Sequence, residues 1–287
     1  MNESTQSVHA ALLPFLGVLR IGGVDAVRFL QGQLTNDVQL LADGRTQLAA
    51  LNTPQGRVVA LLRLRQHEGA IHALLPTELL EPVSDLLRRY VLRSRVQLQI
   101  ASELQVGWIT DAAVAQVVTF DYAPGRKVIA APAEAWKSIT SSAPMQARPG
   151  IETEWRAMDI AEGLPQIHGA TSGAFVPQML NLDLLDAISF SKGCYTGQEI
   201  VARTQHLGRI KRRLLRYRLP RGTAPAPLTG LFRDSTKVAE IVMSVALDSG
   251  VELLAVTSLD ARDGPLRTED GRDAQAVELP YPVAARD

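Results

Sequence analysis

The chain has 287 residues, 46% of them hydrophobic, enough for one large domain or two to three smaller ones with a sizeable core. Lys plus Arg and Asp plus Glu both number 30, so the formal net charge is zero and a generic polyanion-coating protein is excluded. A single cysteine rules out an internal disulfide framework and fits a reducing compartment. The first twenty residues lack a basic stretch, and Pro14 and Gly17 interrupt their apolar run, which does not read as a secretory signal. No stretch reaches the ~18 unbroken apolar residues of a membrane span. A cytoplasmic protein without membrane contact is expected.

In chain order, 18–21 reads as a strand, Gly22-Gly23 as a turn, and Asp25 as the N-cap of a short helix carrying Val27, Phe29 and Leu30, ended by Gly32. Residues 46–51 and 57–65 are strand-like, with the strong turn signal Asn52-Thr53-Pro54-Gln55-Gly56 between them. His67-Glu68-Gly69 turns the chain into a strand at 70–75. Thr77 then caps a helix to about Leu92, with Leu79, Leu80, Val83, Leu86, Leu87 and Val91 at helical spacing. Val96, Leu98 and Ile100 alternate like a half-buried strand. Strands are expected at 105–110, 117–122 and 127–130, and helices at 133–141 and 155–160, with a connector near 142–150. Beyond Lys211 the pattern turns to strands alone, at 214–219, 237–247 and 251–259. Strands mixed with separate helices predict an α+β class, followed by a small β-barrel.

The one cysteine, Cys194, lies in Phe190-Ser191-Lys192-Gly193-Cys194-Tyr195-Thr196-Gly197-Gln198-Glu199. Thr196 and Glu199 have capping-box spacing, which puts Cys194 just outside a helix N-terminus; that position and Lys192 both favour a thiolate. Gly193 and Gly197 permit close backbone approach. The bland alternative is a small buried thiol in a turn. Residues 200–233 hold nine Lys or Arg and no acid, whereas acids outnumber bases 11 to 5 from Asp234 onward. The strip at 203–213 is an anion site for ligand carboxylates or RNA phosphates, or a face neutralised by acids from elsewhere in the fold. His67 and His72 read as surface residues. The five histidines, His9, His67, His72, His168 and His206, have no metal-ligand spacing. A Cys-His hydrolase with Cys194 and either His168 or His206 lacks a recognisable third residue and oxyanion motif.

The run 190–208, FSKGCYTGQEIVARTQHLG, resembles the signature of the YgfZ branch of the folate-binding, GcvT-like aminomethyltransferase superfamily. Three further stretches resemble that family in the right order: 23–38, 155–165 and 175–182. The resemblance implies a cloverleaf of α+β subdomains around a central channel, closed by a C-terminal barrel. It divides the chain into a folate-binding region over 1–210, with two subdomains, and a barrel module over 211–287. It implies binding of tetrahydrofolate or a one-carbon derivative, no stably held metal, and a role in assembly or repair of iron–sulfur proteins, among them radical enzymes that thiomethylate tRNA. Iron–sulfur client proteins would be its partners. On this reading Cys194 acts as a thiolate with Lys192 and Gln198 beside it. Trp155, Arg156, Glu162, Asn36, Asp37 and Arg203 are the folate-contacting candidates. Arg209, Lys211, Arg212 and Arg213 are candidates for weak tRNA contact. Glycine-cleavage aminomethyltransferases carry an Asp pair in the strand that corresponds to 56–62, and here Gly56-Arg57-Val58-Val59-Ala60-Leu61-Leu62 has no carboxylate. That absence ranks aminomethyl transfer below the accessory role.

Overall fold

The computed structural model describes residues 10–41, 44–109, 117–139, 148–206 and 210–283. His9, Arg209 and the predicted connector up to residue 147 lie outside the described residues. The elements are β1 (Ala10–Leu12), β2 (Leu16–Gly22), α1 (Ala26–Gln31), β3 (Thr46–Asn52), β4 (Val58–His67), β5 (Ala70–Pro76), α2 (Leu80–Val91), β6 (Gln97–Ile100), β7 (Leu104–Ile109), β8 (Val118–Ala123), β9 (Arg126–Pro132), α3 (Ala133–Ile139), α4 (Ile151–Ala161) and α5 (Gln198–His206). Then follow β10 (Arg212–Leu219), β11 (Gly230–Arg233), β12 (Thr236–Leu247), β13 (Gly250–Ser258), β14 (Leu266–Thr268) and β15 (Asp273–Val277). The predicted helices and longer strands are present. The short strands β1, β11, β14 and β15 were not expected; three to five residues leave too little periodicity to read.

The chain divides into two compact units, Met1–Leu30 with Val38–Leu48 and Leu62–Ile151, and Gln31–Asp37 with Ala49–Leu61 and Glu152–Asp287. One sheet has the order β3-β4-β5-β2-β6 and another β1-β7-β9-β8. The β4–β5 hairpin turns on Glu68 and Gly69, both at positive φ (+47° and +74°), the geometry that follows the twist of the strands it joins. Along α2, Leu80, Val83 and Leu87 are buried and Arg88 and Arg89 exposed, as the spacing of apolar residues requires. Two predicted caps are reassigned. Thr77 donates its hydroxyl to Pro14 O at 3.1 Å. The Asp25 carboxylate accepts from the Arg95 backbone N–H at 2.8 Å. His72, read as a surface residue, is buried on β5, because its strand has a core on both faces; burial pulls its pKa down to about 4.

In the second unit β10-β13-β12-β11-β14-β15 close into an antiparallel barrel around Leu215, Tyr217, Leu219, Leu231, Ile241 and Leu253. β15 pairs β10 only over Arg216–Arg218. Next to it, Asn181 takes the place of a strand: its Nδ2 donates to Leu214 O at 2.9 Å and its Oδ1 accepts from Leu214 N at 3.3 Å. The segment between α4 and α5 has little regular structure, so buried side chains satisfy its backbone. Thr35 Oγ1 donates to Ala187 O at 2.7 Å, and the buried Arg213 donates through Nη1 to Gln178 O at 3.0 Å.

Candidate functional site

The cysteine loop is presented by its neighbours. Lys192 and Tyr195 are buried, whereas Gly193 and Cys194 between them are exposed. Lys192 Nζ donates to three carbonyls, Gln31 O at 2.8 Å, Leu34 O at 2.7 Å and Asn36 O at 2.8 Å. An ammonium has three protons, and all three are used. Its charge therefore clamps the 31–36 segment to the cysteine loop, and no donor is left for the thiol. Burial draws the Lys192 pKa down to about 8, opposed by the Asp37 carboxylate. The same ammonium lies 5.0 Å from the centre of the Tyr195 ring, and burial lifts the Tyr195 phenol to about 12.

Further bonds close the same seam. Ser189 N donates to Thr35 O at 3.0 Å and Thr196 N to Gly32 O at 3.2 Å. Asn36 Nδ2 donates to Asp186 O at 2.7 Å, and Asn36 Oδ1 accepts from Asp37 N at 2.9 Å. Asp37 Oδ1 accepts from Gln31 Nε2 at 2.9 Å. Asn36 and Asp37, proposed from sequence as channel residues, thus order the segment to which Lys192 is fastened.

The capping box is corrected. Helix α5 begins at Gln198, one residue too late for Thr196 to be its N-cap, and Glu199 pairs with Arg203 one turn on. Thr196 Oγ1 donates instead to Gln33 Oε1 at 3.4 Å. Of the two loop glycines, Gly197 is the one geometry demands. Its φ is +80°, and a Cβ there would lie 2.5 Å from Thr53 O. A Cβ on Gly193 would meet nothing within 4 Å. On the facing turn Gly56 has φ +70°, and a Cβ there would come 2.8 Å from Ile200 Cβ. The 52–57 turn and the first turn of α5 therefore fit only as a glycine pair.

Trp155 is buried at 3% exposure within α4. Arg156 is paired with Glu152 at 2.7 Å, and Glu162 follows the helix end, half-buried. Gln198 is half-buried in the first turn of α5. His168 caps a short 3-10 turn through its backbone. Among the described residues no group of three or more His, Cys, Asp or Glu is placed to hold a metal. The basic strip is also corrected. Arg213 is buried at 4% exposure and grips Asp183 through two bonds of 2.5 and 2.9 Å, with a third to Gln178 O at 3.0 Å. It cannot meet a phosphate. Lys211 is exposed and Arg212 half-buried.

One residue escaped the sequence reading. Asn52, at the end of β3, is 2% exposed, and neither its Oδ1 nor its Nδ2 has a hydrogen-bond partner among the described residues. A buried carboxamide with both ends open is a place for a ligand that offers a donor and an acceptor together. In sequence it was absorbed into the turn signal 52–56; a strand-end Asn that the turn itself does not use was the available clue.

No family model matches the chain. Curated relatives do. The tRNA-modifying protein YgfZ of Hamiltonella defensa is 31% identical over 227 residues, covering 71% of this chain and 68% of its own. This decides the assignment. The chain belongs to the YgfZ family. The YgfZ protein of Klebsiella pneumoniae is 28% identical over 91% of this chain and 89% of its own. The crystal structure of the glycine cleavage system aminomethyltransferase T from Bartonella henselae matches with a TM-score of 0.74 at 12% identity, covering 95% of this chain and 85% of that one. This YgfZ-family chain therefore has the aminomethyltransferase fold with a closed six-stranded C-terminal barrel. Its strand at 57–62 carries no carboxylate. Among the described residues no helix is long and apolar enough to cross a membrane.

Proposed function

We propose that the chain is a folate-binding accessory protein in the assembly or repair of iron–sulfur clusters, serving enzymes such as those that thiomethylate tRNA. The observation that carries this reading is the exposed thiol of Cys194 on a loop held between two buried anchors. A reactive sulfur must be reachable and held still; a structural one would be packed inside. One thiol cannot own a cubane cluster, which takes four thiolates. It can lend one ligand to a cluster in transit or form a transient mixed disulfide with a client. The names of the relatives, tRNA-modifying proteins, support a client in tRNA modification.

Reduced folate fits the residues present. The open carboxamide of Asn52 would pair with the amide edge of a pterin, and the folate candidates Trp155, Arg156, Glu162 and Arg203 lie in the same compact unit. When bound, folate would supply a carrier for a one-carbon unit. The protein's own part is to bind and orient it. The 1–210 region would supply that binding, and the 211–287 barrel would complete the fold. Folate-dependent aminomethyl transfer of the glycine-cleavage type is the weaker reading, since the strand at 57–62 offers no carboxylate to the reacting nitrogen. Direct tRNA contact through Lys211 and Arg212 is weaker still after the loss of Arg213.

In a strain lacking the protein, Cys194→Ser should fold and bind folate as the parent does, yet fail to restore iron–sulfur enzyme activity. Full rescue by that variant would remove the thiolate from the mechanism. Calorimetric titration with tetrahydrofolate should show binding that Asn52→Leu weakens at least tenfold. No binding by the parent chain would leave a protein-interaction factor without a folate.

A further inference from the structure

Large apolar side chains are seldom left in water without a reason when several gather in one place. Seven are exposed among the described residues, and four of them, Val24, Val27, Tyr90 and Leu92, come from two segments of the first unit. These segments are tied together. Asp25 Oδ2 accepts from Arg95 N at 2.8 Å and Arg95 Nε at 3.2 Å, and Arg95 O lies within 3.4 Å of Asp25 N. Leu92 is 87% exposed and Val24 76%.

Leu92 is also conformationally out of place. It ends α2 at φ +43°, ψ −105°, and Ser94 N donates to Val91 O at 2.7 Å. This is a tight turn whose first central position is dominated by glycine, since a side chain there is strained. A bulky leucine on that corner is unfavourable both for the backbone and for hydration. Nothing inside the fold is gained by it, because the side chain points almost wholly into solvent.

Arginine outnumbers acid around these groups. Arg28, Arg88, Arg89, Arg93 and Arg95 are all exposed. The acids within reach, Asp85 and Asp25, are taken by Arg88 at 2.8 Å and Arg95 at 3.2 Å. Arg28 acts on the Asp25 carboxylate through charge alone, and Arg89 and Arg93 make no hydrogen bond or ion pair among the described residues. The helix C-terminus accounts for arginines at 88 and 89, which complement its dipole. It does not account for Leu92, Val24 or Val27.

We propose that Val24, Val27, Tyr90 and Leu92, bordered by Arg28, Arg89 and Arg93, form a docking surface for a partner protein segment that carries carboxylates around an apolar face. Guanidinium forks match carboxylates, and the aliphatic tips are dehydrated only by apolar groups. RNA would use the arginines and the tyrosine but leave Leu92 and the two valines wet. This surface belongs to the first unit and the cysteine loop to the second, and the proposal does not rest on the folate reading.

The test uses the full chain and a designed 14-residue helical peptide with leucines on one face and glutamates on the other. Its controls are the same peptide with lysines, total tRNA, and vesicles of phosphatidylcholine with phosphatidylserine. Binding of the glutamate peptide is expected at least tenfold more tightly than of the lysine peptide. Leu92→Gly should lose at least tenfold of that affinity while its thermal midpoint stays level or rises, because glycine suits the turn. Arg89→Glu with Arg93→Glu should abolish binding, and tetrahydrofolate binding should be unchanged in every variant. Equal binding of the two peptides, undiminished binding by Leu92→Gly, or a preference for tRNA or for vesicles would each overturn the proposal.

Discussion

Two arginine-rich stretches, 203–213 and 88–95, look alike as text and differ in what the fold buries: Arg213 goes inside with its acid, whereas every arginine of 88–95 stays exposed. In the first, Glu199 takes Arg203 and Asp183, its side chain 7% exposed, takes Arg213, while Lys211 stays exposed. In the second, the exposed Arg88 and Arg95 pair with Asp85 and Asp25, and Arg89 and Arg93 stay in solvent. A run of positive charge therefore says little until its partners are known. Asp183 lies thirty residues from Arg213 and belongs to an irregular segment, so no spacing rule links them. The stretch that looked functional is partly structural, and the one at a helix end leaves Arg89 and Arg93 unpaired among the described residues.

The contrast is broken most strongly at Arg213. Asp183→Ala leaves a guanidinium buried at 5% side-chain exposure without its carboxylate, and should cost about 3–5 kcal/mol in chemical denaturation. Replacing both residues by apolar ones of similar size should recover most of that loss. If Asp183→Ala unfolds like the parent, the pair is not structural and the strip returns as an anion site.

Lys192 should come next. Lys192→Met removes three bonds from a charged donor and should destabilise by about 2–4 kcal/mol. Amide exchange at Ser189 and Thr196, whose N–H groups bond to Thr35 O and Gly32 O, should accelerate with it. Stability lost without faster exchange at those two amides would place the clamp elsewhere.

These cases mark what the sequence could disclose. Period and turn chemistry revealed α2, the β4–β5 hairpin and the barrel's long strands, because those elements repeat or turn within a few residues. The family motif around Cys194 was also legible, as was the odd strand at 57–62. What stayed hidden was set by contacts far apart in the chain: Lys192 to residues 31–36, Asp183 to Arg213, Gly56 to Gly197. Glu199 was given to Thr196 by local spacing, and Arg203 won it, since an i,i+4 ion pair on α5 competes for the same carboxylate. His72 was misplaced because the alternation of β5 is invisible when its seven residues are buried on both faces.

That burial gives a pH prediction for the first unit. The folded-state pKa of His72, about 4, lies below its unfolded value near 6.5, so the unfolded chain alone takes up a proton between them. Its stabilising contribution is complete above about pH 6.5 and is lost as the pH falls toward 4, by about 3 kcal/mol. In His72→Gln that part of the slope of stability against pH should vanish. An unchanged slope would assign the acid sensitivity to other groups.

The smallest effect belongs to the exposed pair on α5. The side chains of Arg203 and Glu199 are 59% and 81% exposed, so water and salt screen them. Arg203→Ala should cost no more than ~0.5 kcal/mol, and that cost should fade at high salt. The same arginine is a candidate for the folate's carboxylates, and the two roles separate cleanly. If Arg203 serves only the helix, tetrahydrofolate affinity is the same in Arg203→Ala and parent. If it reaches the ligand, affinity falls several-fold while stability barely moves. A large stability loss would fit neither role, and would mean that the pair is shielded from solvent in a way its exposure contradicts.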